Sequence, residues 1–185
     1  MMFARTKRLT LRPGWPEDAC ALTAAIAHES VAMTLSRVPW PYGESDARAW
    51  LTMPRTRTDV SCLILAHDTP TPRLIGTIGL HPVDDTSDHE LGYWLTPDAW
   101  GRGYATEAGQ AMLDIARHAL GLDRVVAGHF IDNPASGAVL RKLGFRPTGV
   151  VERRFSRARG HHVECATFVC DLTHDDLDRP MPIAA

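Results

Sequence analysis

Seven residues between a predicted strand and a predicted helix decide the fold: Trp100-Gly101-Arg102-Gly103-Tyr104-Ala105-Thr106. Glycine lets a backbone turn tightly and approach a ligand closely, because it has no Cβ and adopts positive φ readily. The first turn of a helix presents N–H groups that lack a partner inside the helix and carry a partial positive charge. A glycine turn that opens a helix is therefore suited to holding phosphate oxygens.

Two well-known phosphate-binding motifs do not fit the spacing of this loop. A P-loop needs Lys and then Ser or Thr after its last glycine, where this chain has Tyr104 and Ala105. A dinucleotide-binding fingerprint needs a third glycine, where this chain has Thr106. It also needs an acid at the end of the next strand, whereas Asp123 precedes that strand. An ordinary glycine turn before a helix stays open as the alternative.

Apolar periodicity on both sides of the loop predicts a mixed fold. Ala, Met and Ile recur at steps of three and four from Ala105, which predicts a helix that ends at Gly121. Alternating or Val/Ile/Leu-rich runs predict strands at 7–12, 60–66, 74–80, 89–95, 124–130, 148–154 and 163–172. Further helices are predicted at 17–35, 44–53 and 134–143. The pattern is that of an α+β protein with a mixed, mostly antiparallel central sheet flanked by helices.

The composition is that of an ordinary globular protein with one domain. The chain has 185 residues, of which 44% are apolar and 23% charged, so we expect one domain over 1–177 and a mobile tail over 178–185. The net charge of −2 gives no general attraction to polyanions, so no direct DNA binding is expected. No signal-peptide core and no apolar stretch of about 20 residues is visible, which predicts a cytoplasmic protein that does not bind a membrane.

The cysteines and histidines do not form a recognisable metal motif. The four cysteines (Cys20, Cys62, Cys165 and Cys170) lack a C-x-x-C pair, and we expect buried thiols, with Cys165 and Cys170 on opposite faces of a strand. His161 and His162 are adjacent and point apart on a strand. No metal site is therefore predicted.

Several ordered motifs resemble those of the GCN5-related N-acetyltransferases (GNAT), in particular the branch that modifies the N-termini of ribosomal proteins (RimJ/RimL-like). These motifs are E-L-G-Y-W-L-T-P from Glu90, W-G-R-G-Y-A-T-E-A from Trp100, and N-P-A-S-G-A-V-L-R-K-L-G-F from Asn133. The resemblance extends from T-K-R-L-T-L-R-P near the N-terminus to the last strand. It implies a GNAT-like acyl-CoA N-acyltransferase fold.

The resemblance also implies how acetyl-coenzyme A, a co-substrate, is held without a metal. The strand backbone that pairs with its pantetheine arm belongs to Tyr93, Trp94 and Leu95. The amides that hold its pyrophosphate belong to Gly101, Arg102, Gly103, Tyr104, Ala105 and Thr106. The guanidinium of Arg102 adds a cation there, although an exposed loop arginine is by default a solvated charge. Trp100 stands where the general family pattern has Gln or Arg, as is usual in this branch.

Acetyl transfer requires a neutral amine, and this requirement favours the α-amino group of a protein N-terminus as the acceptor. The usual pKa of an α-amino group is about 7.7–8.0, against about 10.4 for lysine, so a modest base suffices. Glu90, at the start of the strand expected to bind the cofactor, is the candidate base, directly or through water. A solvent-facing strand-edge acid is its alternative role. His89 is the neighbour that would substitute, but adjacent strand residues face opposite ways.

The leaving thiolate is the second point at which the chain departs from the family pattern. Many members carry a tyrosine seven residues after the asparagine that corresponds to Asn133, and Leu140 occupies that position here. The resemblance to the ribosomal branch implies that Ser136 donates a hydrogen bond to the leaving sulfur and that Asn133 contacts the cofactor. Both residues also occupy helix-start positions, where such side chains cap backbone N–H groups, and that structural role stays open.

The acceptor pocket is expected between the first two helices and the connection of the last two strands. That connection carries four arginines, which are Arg153, Arg154, Arg157 and Arg159. Such a cluster is usually a solvated rim. We hypothesise that this one attracts an acidic acceptor peptide or ribosomal RNA. Two rival functions stay open, an acetyltransferase for small amines such as polyamines or aminoglycosides and a non-catalytic acyl-CoA-binding module. A nucleic-acid-binding module has less support. The oligomeric state, including a homodimer, is also open.

Overall fold

The computed structural model describes residues 3–84 and 86–173 and builds them around one sheet. The strands are β1 (Ala4–Arg5), β2 (Leu9–Arg12), β3 (Val60–Ala66), β4 (Arg73–Pro82), β5 (His89–Leu95), β6 (Arg124–Phe130), β7 (Arg146–Ser156) and β8 (His161–Asp171). The helices are α1 (Ala19–Ile26), α2 (Glu29–Ala32), α3 (Glu44–Thr52), α4 (Tyr104–His118) and α5 (Pro134–Lys142). Single 3₁₀ turns lie at Pro16–Asp18 and Pro97–Ala99. Within the described residues no helix is long and apolar enough to cross a membrane.

The eight strands lie in the order β1-β2-β3-β4-β5-β6-β8-β7. Every neighbouring pair is antiparallel except β5 and β6, which are parallel and lie in the interior of the sheet. A parallel pair needs a long crossover connection, and α4 provides it. The expected α+β fold with a mixed, mostly antiparallel sheet is therefore confirmed.

Alternating strand residues bury two different sets of helices on the two faces of the sheet. On one face, which we call the α4 face, residues such as Ile64, Tyr93 and Leu95 pack with α4 and α5. On the opposite face, which we call the α1 face, Leu63 and Trp94 pack with α1 and α3. This alternation follows from the two-residue period of a strand. It allows β5 to present different side chains to two separate compartments.

Most predicted elements are confirmed, and the largest difference is in the first helix. The structure divides the predicted helix at 17–35 into α1 and α2, because Ala27 and His28 leave the helical conformation. This break allows Val31 and Ala32 to be buried. The short strand β1 was not predicted.

Of the four cysteines, three are buried as expected, but the prediction was wrong for Cys20, which is exposed on α1. Cys165 and Cys170 belong to clusters on opposite faces of β8, as expected. The tail expected at 178–185 lies outside the described residues, and the domain boundary at 177 stays a prediction.

Candidate active site

The two parallel strands pair over only three residues each and then separate. Their register joins His89, Glu90 and Leu91 of β5 to Val125, Val126 and Ala127 of β6. The antiparallel pairing of β5 with β4, in contrast, continues to Leu95. The backbone of residues 92–95 therefore has a strand partner on one side only. The opening contains the residues expected to bind the pantetheine arm: Tyr93, Trp94 and Leu95.

The loop that follows β5 has the backbone conformation that its glycines allow. Gly101 and Gly103 adopt φ of 72° and 77°, and Gly103 is the N-cap of α4 without any side-chain cap. No described residue accepts a hydrogen bond from the amides of residues 101–106. Six backbone donors at the positive end of a helix thus remain available to an anion. Trp100 fixes the loop to β5, since its Nε1 donates to the Leu95 carbonyl at 2.8 Å.

Two arginines lie at this loop, and sequence reasoning identified one of them. Arg102, the expected cation, is half exposed and ion-paired with Asp68 at 3.0 Å. Arg8 donates to the Arg102 carbonyl at 2.9 Å and lies over the Tyr104 ring at 4.6 Å. Tyr104 is buried, and its hydroxyl donates to Asp68 at 3.2 Å, the carboxylate that also pairs with Arg102. The Arg8 contact spans 94 residues of sequence, and no local pattern indicates it.

The first turn of α5 carries a polar pair that sequence reasoning described only in part. Asn133 is the N-cap of α5, and its Oδ1 accepts a hydrogen bond from the Ser136 amide at 3.3 Å. The Tyr93 hydroxyl lies 2.8 Å from Ser136 Oγ and 3.1 Å from the Ser136 carbonyl, and its single hydrogen serves one of these acceptors at a time. Burial raises the pKa of Tyr93 to about 12, against a smaller lowering by Ser136. The hydroxyl therefore remains a hydrogen-bond donor at neutral pH. Leu140 is fully buried and supplies no acid.

The structure places Glu90 on the α1 face and pairs it with an arginine. Arg154 Nη1 donates to Glu90 Oε1, and the same guanidinium binds Glu152. Burial opposes the charge on Arg154, but the attraction of Glu90 and Glu152 outweighs burial and raises the pKa of Arg154. His89 does not share this site, because it is buried on the alternate face of β5 and neither ring nitrogen meets a described partner.

Two of the four clustered arginines, Arg157 and Arg159, contact the segment that follows α2. Arg159 Nε donates to the Met33 carbonyl at 2.7 Å, and its Nη1 pairs with Asp132 at 2.6 Å. The Arg157 amide donates to the Ser36 carbonyl at 2.9 Å. Arg153 is exposed and makes no ion pair with another described residue. The cluster therefore joins the turn between β7 and β8 to residues 33–37, the two regions expected to enclose the acceptor.

Comparison with known proteins agrees with this geometry. Residues 8–146 match the family model described as "Acetyltransferase (GNAT) domain". The uncharacterized N-acetyltransferase p20 of Bacillus licheniformis is 30% identical over 169 residues, which cover 88% of this chain and 92% of that protein. YoaA of Bacillus subtilis, also an uncharacterized N-acetyltransferase, is 39% identical over 84 residues, 45% of this chain and 48% of that protein. One similar solved structure is that of RimL, a ribosomal L7/L12 alpha-N-protein acetyltransferase, in complex with coenzyme A. It superposes on this chain with a TM-score of 0.78 at 18% identity, and the match covers 94% of this chain and 100% of that one.

Proposed function

The chain belongs to the GNAT family of N-acetyltransferases, and we propose that it acetylates the α-amino group of a protein N-terminus with acetyl-coenzyme A as the donor. A ribosomal protein is the proposed acceptor and the cytoplasm the proposed location. One observation carries the proposal: the opening between β5 and β6 leads directly to six unpaired amides at the start of α4. The shared fold with RimL, an α-N-protein acetyltransferase, supports the choice of acceptor.

The donor is proposed to bind along the opening. The backbone edge of residues 92–95, apart from the Leu95 carbonyl that Trp100 Nε1 engages, pairs with the amide groups of the pantetheine arm, as an added strand would. The amides of residues 101–106 receive the pyrophosphate, since they combine free N–H donors with the positive end of the α4 dipole. Arg8 and Arg102 stand beside this loop as cations.

The proposed acceptor is an α-amine because its proton is the easier one to remove. Near pH 7 roughly a tenth of α-amino groups are neutral, against well under a thousandth of lysine side chains. Glu90 provides an anion on the α1 face, and its Oε2 is not engaged by a described hydrogen-bond donor. We propose that this carboxylate attracts the ammonium form of the acceptor and takes part in removing its proton, directly or through water.

Attack of the neutral amine on the thioester forms an oxyanion, and a backbone N–H of β5 near Tyr93 or Trp94 is proposed to stabilise it. The carbon–sulfur bond then breaks. Ser136 is proposed to donate a hydrogen bond to the departing sulfur, and Asn133 to contact the donor while it caps α5. The Tyr93 hydroxyl holds Ser136, which supports this role although Leu140 replaces the usual tyrosine.

The experiment compares acetyl transfer to three classes of amine. The purified protein is incubated with acetyl-coenzyme A and short peptides that begin with Ser, Ala, Thr or Met. Two matched controls accompany them. One is the same peptides with a blocked N-terminus and an internal lysine, and the other is spermidine. We expect release of coenzyme A thiol, and a peptide mass increase by one acetyl group, only where the α-amine is free. Transfer confined to spermidine, or donor binding without any transfer, contradicts the proposal.

A further inference from the structure

Two glycines face each other on the interior strands β4 and β5, beside the point where β5 leaves β6. Gly79 is the direct cross-strand partner of Gly92. Glycine weakens a strand, and its presence often marks a place where another group approaches the backbone. Here two groups approach Gly79, the Val60 carbonyl and the ring of His81. A Cβ at Gly79 would lie 2.9 Å from His81 Nε2, and a Cβ at Gly92 would lie 3.9 Å from His81 Cδ2.

The His81 ring is oriented by a carboxylate. Its Nδ1 donates to Asp59 Oδ1 at 2.8 Å, and the two side chains are 29% and 22% exposed. A neutral imidazole that donates from Nδ1 carries its lone pair on Nε2. Among residues 3–84 and 86–173, no hydrogen bond engages Nε2. The geometry is that of a base held in one tautomer by an acid, the arrangement that activates histidine in many enzymes.

His81 lies directly beside Glu90. The two residues are cross-strand partners in the antiparallel pair of β4 and β5, so their side chains lie on the same face about 5 Å apart at Cβ. Glu90 lies two residues before Gly92, and Tyr93, whose backbone is proposed to meet the thioester, follows Gly92. The His81 ring therefore lies over the pair of glycines, in the row of residues next to Glu90.

A cavity beside α3 borders this place through Asp59 and Ser61. It has a volume of about 240 Å³, and Asp59, Ser61 and Trp50 are among the residues that line it. The Ser61 hydroxyl is buried without a described hydrogen-bond partner, and Ser61 is the cross-strand neighbour of Gly79. Asp59, the partner of His81, therefore borders open space, and the Ser61 hydroxyl lies next to it without a described hydrogen-bond partner.

We infer that His81, positioned by Asp59, is the final acceptor of the proton from the acceptor amine, and that Glu90 takes part in this removal by holding the ammonium group in place. This inference rests on the proposed function. The ammonium transfers one proton to Nε2, which makes an imidazolium and a neutral amine. The amine nitrogen bonds to the acetyl carbon, the carbon–sulfur bond breaks, and the remaining excess proton on nitrogen passes to the thiolate. His81 then returns its proton to water, so that one acetylated amine, one thiol and one proton result.

The charged groups around His81 favour this transfer. Asp59, on the segment before β3, stabilises the imidazolium, and Glu90 on β5 adds a second negative charge on the same face. Arg154 on β7 neutralises part of the charge on Glu90. Arg55, on the same segment as Asp59, interacts with it electrostatically, and burial lowers the pKa of Arg55. Negative charge thus lies near the ring on two elements, with Asp59 in direct contact and Glu90, the partner of Arg154, on the neighbouring strand.

The test compares His81→Gln with wild type, and His67→Gln is the matched control on the same sheet. His67 is exposed, and its ring contacts Thr10 rather than the site. The acceptor probe is the best peptide substrate from the panel described above. We expect His81→Gln to lower kcat/KM for the peptide by about 10²-fold or more, the usual contribution of a general base. The loss should shrink as pH rises past about 8, because the α-amine then becomes neutral without help.

Asp59→Asn separates a positioning role from a structural one. We expect a smaller loss in kcat than in His81→Gln and an unchanged KM for acetyl-coenzyme A, because the imidazole is retained but loses the carboxylate that fixes its orientation. Calorimetric titration with coenzyme A confirms that each variant is folded. A His81→Gln protein that binds coenzyme A and transfers within about threefold of wild type at every pH overturns the inference alone. Absence of transfer by the wild type to any α-amine overturns the proposed function instead.

Discussion

Removal of the Tyr93 hydroxyl tests whether this group acts through Ser136. The hydroxyl lies 2.8 Å from Ser136 Oγ and 3.1 Å from the Ser136 carbonyl. When Tyr93 donates to Oγ, the single hydrogen of the serine hydroxyl is free to point at the leaving sulfur. When Tyr93 donates to the carbonyl, Ser136 donates back to tyrosine. Tyr93→Phe removes this arrangement and leaves the ring in place.

The size of the effect follows from the hydrogen bond that is lost. One neutral hydrogen bond contributes about 0.5–1.5 kcal/mol, so we expect kcat to fall about 2- to 12-fold in Tyr93→Phe. Ser136→Ala removes the donor itself and should cost about tenfold, less than an oxyanion-hole donor, because a thiolate leaves readily. If Tyr93 acts only through Ser136, the double variant should be no slower than Ser136→Ala.

The assay is the rate of thiol release with saturating peptide and acetyl-coenzyme A, and KM for the donor is measured alongside. Tyr42→Phe is the matched control, because Tyr42 is another tyrosine packed against the sheet whose pKa burial raises to about 12. It should leave kcat unchanged. Multiplication of the two single losses in the double variant would show that Tyr93 and Ser136 act independently and would refute the reasoning.

Two further predictions concern the phosphate loop and its support. Gly103 has a φ of 77°, so Gly103→Ala imposes about 1–2 kcal/mol of strain from the left-handed conformation. It should weaken coenzyme A binding about 5- to 30-fold, as measured by calorimetry. The control Gly149→Ala, at φ 81° in β7, should lower stability alone. Burial opposes the charge of Glu107, but hydrogen bonds from Thr6 and Arg8 outweigh it and hold the pKa of Glu107 below 4.5. The stabilisation that the Glu107 carboxylate provides is therefore present above the ordinary carboxyl pKa and is lost on acidification. Wild type should lose more thermal stability than Glu107→Gln between about pH 6 and about pH 3. Equal losses in the two proteins would contradict this prediction.

The elements that local pattern encodes could be predicted from the sequence. Strands β3, β5 and β6 have the predicted bounds, since apolar runs between turn residues suffice to define them. The loop at Gly101 and Gly103 and the cap at Asn133 are also local signals. These features account for the fold and for the donor half of the candidate site.

The remaining contacts of the candidate site depend on how elements distant in the sequence are placed together, which no local pattern specifies. Arg154 reaches Glu90 across 64 residues, and Tyr93 reaches Ser136 across 43. His81 and Asp59 are 22 residues apart and meet because β3 and β4 pair in one register. Histidine and aspartate occur in many loops, so neither residue was distinctive in the sequence. The contact between His81 and Asp59 therefore depends on strand pairing, which brings residues that are distant in the sequence together.

Calorimetric titration of the wild-type protein with coenzyme A tests the central claim most directly. If the amides of residues 101–106 surround a pyrophosphate, coenzyme A should bind at one site per chain and inorganic pyrophosphate should compete with it. Absence of binding heat for both coenzyme A and its acetylated form would contradict the account.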